Sequence, residues 1–394
     1  MIYMKQAIVV SAARTPIGKF AGAFKDISAP KLGAVVVREA LSRAGVGARE
    51  VEECIMGNVL SAGLGQNPAR QAALWGGLPD EIPALTVNKV CGSGLKAVML
   101  AADSILAGRQ RIVVAGGMES MTNAPYLLEK ARFGYKLFDS SLVDAMVRDG
   151  LWDVYNNYHM GNTGEIVAER NGVTREDADK FSLLSHKKAV DAIKNGRFEK
   201  EIVSVSLPSK KEPIVCSVDE GPREDTSLEA LGKLKPVFKP NGVLTAGNSS
   251  TINDGAAATI VMDSELAAER GIKPLVRIVD YVTSGLKPEL VMEAPIPAVR
   301  KLLERNKLTV KDIDLFEHNE AFSTASVAVV KSLGIPEDKF NVNGGAVALG
   351  HPIGASGARV LTTLIYAMES RGSQRGVATL CLGGGNAVAM LVER

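Results

Sequence analysis

The sequence predicts an α/β protein built from two copies of one unit, and three features predict it. Short apolar runs alternate with longer stretches of helical period. The two ends of the chain repeat each other. Between the copies the pattern breaks down into a long irregular region.

In chain order, QAIVVSAA is the first apolar run and reads as a buried strand. VVVREALSRAGVGAREVEECIMGN follows as an apolar helix, a short link, a charged pair and a strand that stops at Asn58. TVNKVCGSGLKAVMLAADSI is a strand that passes through a glycine turn into a helix, and RIVVAGG is the next strand. From about Thr122 to Asn248 the chain turns to aromatic, Pro and charge-rich pieces such as APYLLEKARFGYKLFDSS and DEGPREDTSLEALGKLKPVFKPNG. Loops this long inside a compact domain usually act as lids or binding surfaces. After the strand LVRIVDYV, the segment AVRKLLERNKLTVKDIDLFEHN repeats the first helix and strand and stops at Asn319. NVNGGAVALGHPIGASGARVLTTLIYAM repeats the strand, glycine turn and helix, and GVATLCLGGG is the last run of the series. The expected division is a first half over 1–121, completed by about 249–272, an inserted loop domain over 122–248, and a second half over 273–394.

Composition narrows the function. A chain of 394 residues can bury a large core and suggests two or three domains. Its formal net charge of +2 points to neither nucleic acid nor a membrane surface. No apolar run approaches the roughly 18–20 residues of a spanning helix, and MIYMKQAIVV leads into a strand without a signal or transit pattern. The four cysteines, Cys54, Cys91, Cys216 and Cys381, are scattered with no C-x-x-C pair. That spacing argues against a disulfide framework and a zinc site, and makes a reducing, cytoplasmic setting the default.

Four positions could carry chemistry. Cys91 lies where a strand hands over to a helix, so backbone N–H groups and the helix dipole should face its sulfur and favour thiolate. Gly92 and Gly94 should clear the turn for a substrate. A buried structural cysteine is the plain alternative. GSGLKA, with Glu119 further on, also fits a dinucleotide-binding fingerprint, but it falls late in the repeat and Glu119 does not end its strand directly. A thiol nucleophile needs a base and an oxyanion site. His351 occupies the glycine turn equivalent to that of Cys91, and ALGHPIGASG offers it little core to join. Cys381 sits at a strand end before Gly383, whose N–H could bind an oxyanion. Asn319 could hold a water or cap the next helix.

The motifs V-C-G-S-G (Val90 to Gly94), N-E-A-F (Asn319 to Phe322), G-H-P-x-G (Gly350 to Gly354) and C-x-G-G-G (Cys381 to Gly385), in this order and spacing, resemble those of the thiolase family. The likeness spans the chain and includes GGMESMTNAPY and TAGNSSTINDGAAA. It implies duplicated halves in a layered αβαβα core. It implies that Cys91 takes an acyl group from a thioester, that His351 accepts its proton, and that Cys381 removes an α proton from a second acyl-CoA. His351 with a water on Asn319 would serve the enolate, and the N–H groups of Cys91 and Gly383 the tetrahedral intermediate. Acetyl-CoA, acetoacetyl-CoA and CoA are then substrates or products, with no separate cofactor or metal. CoA would meet Arg223, Leu234, Phe238, Ala246, Ser250 and Phe322, while His159 and Met160 border the acyl pocket as in short-chain, biosynthetic members. His318, Ser323 and Ala230 depart from the short-chain pattern, leaving a broad-range 3-oxoacyl-CoA thiolase as the alternative. LLEKARFGYKL falls where the family's tetramer contact lies, so a homotetramer is expected. A ketoacyl synthase or hydroxymethylglutaryl-CoA synthase would lack Cys381, and an inactive scaffold would lack one or more of these side chains.

Overall fold

A computed structural model describes residues 5–209, 212 and 214–394. The first four residues of MIYMKQAIVV lie outside it. Strand β1 (Ala7–Arg14) is buried at every position, as an unalternating apolar run requires. Helix α1 (Ala29–Ala44) opens with Pro30 in its first turn and closes on Gly45 in the left-handed conformation. β2 (Glu53–Gly57), β3 (Ala84–Val87), α2 (Ser93–Leu106) and β4 (Ile112–Ser120) follow. After α3 (Gly161–Asn171) and α4 (Arg175–Lys194), β5 (Asn253–Asp263) rejoins the sheet. The second series is β6 (Val276–Gly285), α5 (Pro295–Arg305), β7 (Leu315–His318), α6 (Ser323–Leu333), α7 (Ile353–Arg371), β8 (Arg375–Leu382) and β9 (Asn386–Glu393).

The strands pair in the order β7-β8-β9-β6-β1-β5-β4-β2-β3, with the short strand Gly18–Lys19 added on to β5. The repeat is visible in the pairing. β2 runs parallel to β4, β4 antiparallel to β5, and β5 antiparallel to β1. β7 likewise runs parallel to β8, β8 antiparallel to β9, and β9 antiparallel to β6. β1 and β6 join the halves at Ile8–Arg277 and Val9–Val276. The counterpart of β3 is reduced to one parallel bridge between Phe316 and Phe340.

Three apolar clusters stack into five layers, the architecture expected from the sequence. In the middle, Leu95, Val98 and Ile105 of α2 and Val360, Leu361 and Leu364 of α7 share one core with Val9, Val113, Leu380 and Val388. Val36, Val37 and Ala40 of α1 cover the outer face of the first half, and Val299 and Leu302 of α5 cover that of the second. Each fully buried side chain of this size stabilises the fold by roughly 1.5–3 kcal/mol.

The central helices touch through backbone. A Cβ on Gly94 would meet the Ala358 nitrogen at 2.6 Å, and one on Gly357 would meet the Leu95 nitrogen at 2.3 Å. On the strand beneath, a Cβ on Gly117 would lie 2.1 Å from the Gly354 carbonyl oxygen. Gly92 is similarly closed off by Leu382, at 2.4 Å. The sequence reading of Gly92 and Gly94 is therefore corrected: the space they leave is filled by protein, because the two helix N-termini must meet.

The stretch between β4 and β5 is also more ordered than its composition suggests. α4 spans twenty residues and begins with a capping box, in which the Asp177 N–H donates to Thr174 Oγ1 at 3.1 Å and the Thr174 N–H donates to Asp177 Oδ2 at 3.0 Å. Its buried face is small and polar, with Ala178, Ser182, Ser185, His186, Ala189 and Ala192, so it gives little apolar periodicity to read.

Candidate active site

The N-terminal turns of α2 and α7 lie together, and the ends of β7 and β8 approach them. Cys91 precedes α2, whose first residue is Ser93. The turn that carries it contains Val90 at φ +48°, an outlier for a β-branched residue. Ser93 Oγ accepts a hydrogen bond from the Lys89 N–H at 2.8 Å and donates to the Val90 carbonyl at 2.7 Å. His351 precedes α7; its backbone N–H donates to Asn253 Oδ1 at 3.0 Å, and its Nδ1 lies 2.6 Å from Ser356 Oγ. Asn319 follows β7, held by its N–H to the Thr379 carbonyl at 3.1 Å. Its Nδ2 stands 3.4 Å from His351 Nε2, while its buried Oδ1 has no protein partner. It does not cap α6, where Phe322 holds the N-cap position. Cys381 lies near the end of β8, 3.7 Å from Met292 Sδ. Gly384 and Gly385, both at positive φ, turn the chain back into β9.

Cys91, His351, Cys381 and Gly383 line one cavity of about 50 Å³, together with Met160 and Phe322. A groove of about 660 Å³ is lined by Arg223, Leu234, Phe238, Ala246, Ser250 and Ala230. Ser250 faces both, so the groove leads to the cavity. His159 lines neither. Its ring stacks on Phe238 at 4.9 Å, and Phe238 meets Phe322 edge-on at 5.9 Å, so His159 backs the pocket through two aromatic rings. His318 is buried beside Ser326 and Phe340, and the buried Ser323 likewise does not line the cavity.

Burial dominates the electrostatics. It pushes the Cys91 thiol up to about 12, although hydrogen bonds from the Gly383 and Cys91 N–H groups pull the other way. Desolvation thus opposes the helix terminus that is expected to favour thiolate, with Cys91 itself half-buried. Burial and the neighbouring Cys91 also raise the Cys381 thiol. His351, which joins the core despite its glycine-rich neighbourhood, is 7 % exposed. Burial, helped by the Arg359 charge, holds it down to about 3, so the imidazole is neutral.

Glu119, which the sequence offers only as part of a dinucleotide-binding fingerprint, is a structural anchor. Its buried carboxylate accepts from Asn58 Nδ2 at 2.7 Å and from the N–H groups of Val59, Leu60 and Gly354 at 3.0, 3.2 and 2.9 Å. It thereby ties the first half to the turn that carries His351. Burial raises its carboxyl to about 7 against those hydrogen bonds. Ser93 and Ser356 were likewise not singled out, and only their places three and five residues after Val90 and His351 could have drawn attention.

A thiol under two backbone N–H groups, beside a neutral imidazole and a second thiol, is equipped to carry an acyl group on sulfur and to move protons at a neighbouring carbon. The enzyme class that fits is acyl transfer. Residues 7–265 match the family description "Thiolase, N-terminal domain" and residues 272–394 match "Thiolase, C-terminal domain". The chain is 52% identical over 392 residues to the acetyl-CoA acetyltransferase of Cupriavidus necator, covering 99% of this chain and 100% of that one. It is 51% identical over 393 residues to the acetyl-CoA acetyltransferase of Syntrophomonas wolfei, covering 99% of each. The crystal structure of the Bacillus anthracis acetyl-CoA acetyltransferase superposes with a TM-score of 0.97 at 41% identity, covering 99% of each chain. The chain belongs to the thiolase family and is an acyltransferase.

Because burial raises the Cys91 thiol, its alkylation by iodoacetamide should accelerate as pH rises. Between pH 7 and 8 the rate should increase about tenfold, following the thiolate fraction. A plateau already reached at pH 7, measured by mass spectrometry of the Cys91 peptide, would mean a thiolate–imidazolium pair instead.

Proposed function

We propose that the protein is an acetyl-CoA C-acetyltransferase that joins two acetyl-CoA molecules reversibly into acetoacetyl-CoA and CoA. The observation that carries this reading is the pair of thiols, Cys91 and Cys381, in one small cavity with His351 at the end of a long groove. In the first half-reaction Cys91 sulfur attacks the thioester carbonyl while His351 takes the thiol proton. The tetrahedral oxyanion rests on the N–H groups of Cys91 and Gly383, and collapse releases the CoA sulfur, which receives the proton from His351. In the second half-reaction Cys381, acting as the thiolate left when its own proton has passed to solvent, removes an α proton from another acetyl-CoA. The enolate oxygen is held by His351 and a water on Asn319, a role for which the unpartnered Asn319 Oδ1 is suited. The enolate carbon then attacks the acetyl carbonyl on Cys91. The tetrahedral oxyanion collapses, the acetyl–sulfur bond breaks, acetoacetyl-CoA is released, and the departing Cys91 thiolate takes up a proton from solvent.

The groove suits CoA. Leu234, Phe238, Ala246 and Ser250 form a lane for the pantetheine arm, and Arg223 supplies a cation near the phosphates. Both thiols must stay reduced for these steps, which suits the cytoplasm. No helix among the described residues is long and apolar enough to cross a membrane. We also assign the segment around LLEKARFGYKL to a homotetramer contact. Phe133, Leu137 and Phe138 are 82%, 77% and 89% exposed, an apolar surface costly to leave in water.

Three measurements test the reading. Cys381→Ala should still be acetylated on Cys91 by labelled acetyl-CoA. Its exchange of acetyl-CoA α protons with deuterated water should fall by a factor on the order of 10²–10⁴, and normal exchange would remove Cys381 from the mechanism.

Chain length is set by the cavity. A volume of about 50 Å³ holds only some three to five water-sized groups, at roughly 10–15 Å³ each. Acetoacetyl-CoA should therefore be cleaved much faster than 3-oxo-octanoyl-CoA, and Met160→Ala should raise relative activity on the longer substrate. Equal or greater wild-type activity on the eight-carbon substrate would identify a broad-range 3-oxoacyl-CoA thiolase.

Light scattering of Leu137→Asp with Phe138→Asp should show a smaller assembly than the wild-type tetramer. A wild-type protein that is already dimeric or monomeric would remove the tetramer.

A further inference from the structure

We propose that Val90 is a positioning residue for acyl transfer: its strained turn and its isopropyl group together set the Cys91 and Gly383 N–H groups around the nucleophilic sulfur. The inference rests on the reading of Cys91 as the acyl carrier.

Val90 stands at φ +48°, where glycine would sit without strain and a β-branched side chain is disfavoured. Such a conformation persists only where its surroundings over-determine it. Here they do. The Val90 N–H donates to Asn88 Oδ1 at 3.0 Å, and Ser93 Oγ bridges the Lys89 N–H and the Val90 carbonyl at 2.8 and 2.7 Å. The Gly92 N–H closes the turn on the Lys89 carbonyl at 3.2 Å. One left-handed residue reverses the chain between β3 and α2, so that the Cys91 N–H faces its own sulfur.

The side chain explains why the position is not glycine. Val90 lines the cavity, and its Cγ1 would stand 3.3 Å from a Cβ on Gly383. Gly383 is the second residue whose N–H reaches the Cys91 sulfur. The next two residues, Gly384 and Gly385, both take positive φ and lack side chains of their own to fix the loop. The isopropyl group is thus a wedge between the nucleophile turn and the oxyanion loop, and the fold accepts backbone strain to place it.

The test compares three substitutions in the full-length protein. Val90→Gly removes strain and wedge, Val90→Ala removes the wedge and keeps most of the strain, and Val90→Thr keeps both. Acetylation of Cys91 by labelled acetyl-CoA should slow roughly 10- to 100-fold in Val90→Gly and Val90→Ala, with KM for acetyl-CoA within about threefold of wild type, as expected when transition-state donors are displaced but the groove is intact. Val90→Thr should acetylate within about threefold of wild type. In thermal unfolding, Val90→Gly should melt above Val90→Ala, because only glycine accepts the left-handed conformation freely. Wild-type acetylation in Val90→Gly, a KM rising in step with the fall in rate, or equal melting of the glycine and alanine variants would each overturn the proposal. Label incorporated by Cys91→Ala at the wild-type level would instead refute the acyl-carrier reading on which it rests.

Discussion

Everything at the centre of this molecule depends on two helices meeting backbone to backbone. α2 and α7 are counterparts in the repeat, and both begin at the same depth because Gly94 faces Ala358 and Gly357 faces Leu95 with no room for a methyl group. Gly117 and Gly57 admit the Gly354 carbonyl in the same way. Separating the helices by one side-chain layer would carry Cys91 away from His351 by several ångström, far more than a proton transfer tolerates. The large apolar core around α2 and α7 supplies the driving force, and the glycines decide how closely it may close.

Burial on that scale gives the site its resting character. Burial raises both thiols and lowers His351, because a charge placed there would lose its water without a full counter-charge. Under the proposed function, charge would develop only as substrate arrives, and the N–H groups of Cys91 and Gly383 would receive it. Donors already pointing the right way need no reorganisation when the oxyanion forms. The desolvated resting site and the preset donors are therefore complementary parts of one arrangement.

The repeat supplies the frame, but its two copies have diverged in what they hold. Asn58 ends the first strand unit and binds Glu119, which in turn accepts from the Gly354 N–H of the second half. Its counterpart Asn319 faces His351 instead. Glu320, the next residue, takes over an anchoring role by accepting from Asn341 Nδ2 and Ser185 Oγ at 2.7 Å each and from the Val347 N–H at 3.1 Å. One asparagine binds a buried carboxylate, and the other lies against the His351 ring.

The sequence by itself determined the duplicated α/β architecture, because apolar runs and helical periods are local patterns that each copy writes twice. It also singled out Cys91, His351, Cys381, Gly383 and Asn319, since reactive residue types set in glycine turns stand out against a regular background. It could not determine that burial raises the Cys91 thiol, that Gly94 serves helix contact, that His159 lies behind Phe238, or that His318 lies outside the cavity lining. α4 escaped notice because its buried face is made of alanine, serine and histidine. Each of these depends on which atoms from distant parts of the chain come to lie within a few ångström. Desolvation and close packing are properties of that assembled neighbourhood, and only the tertiary structure decides them.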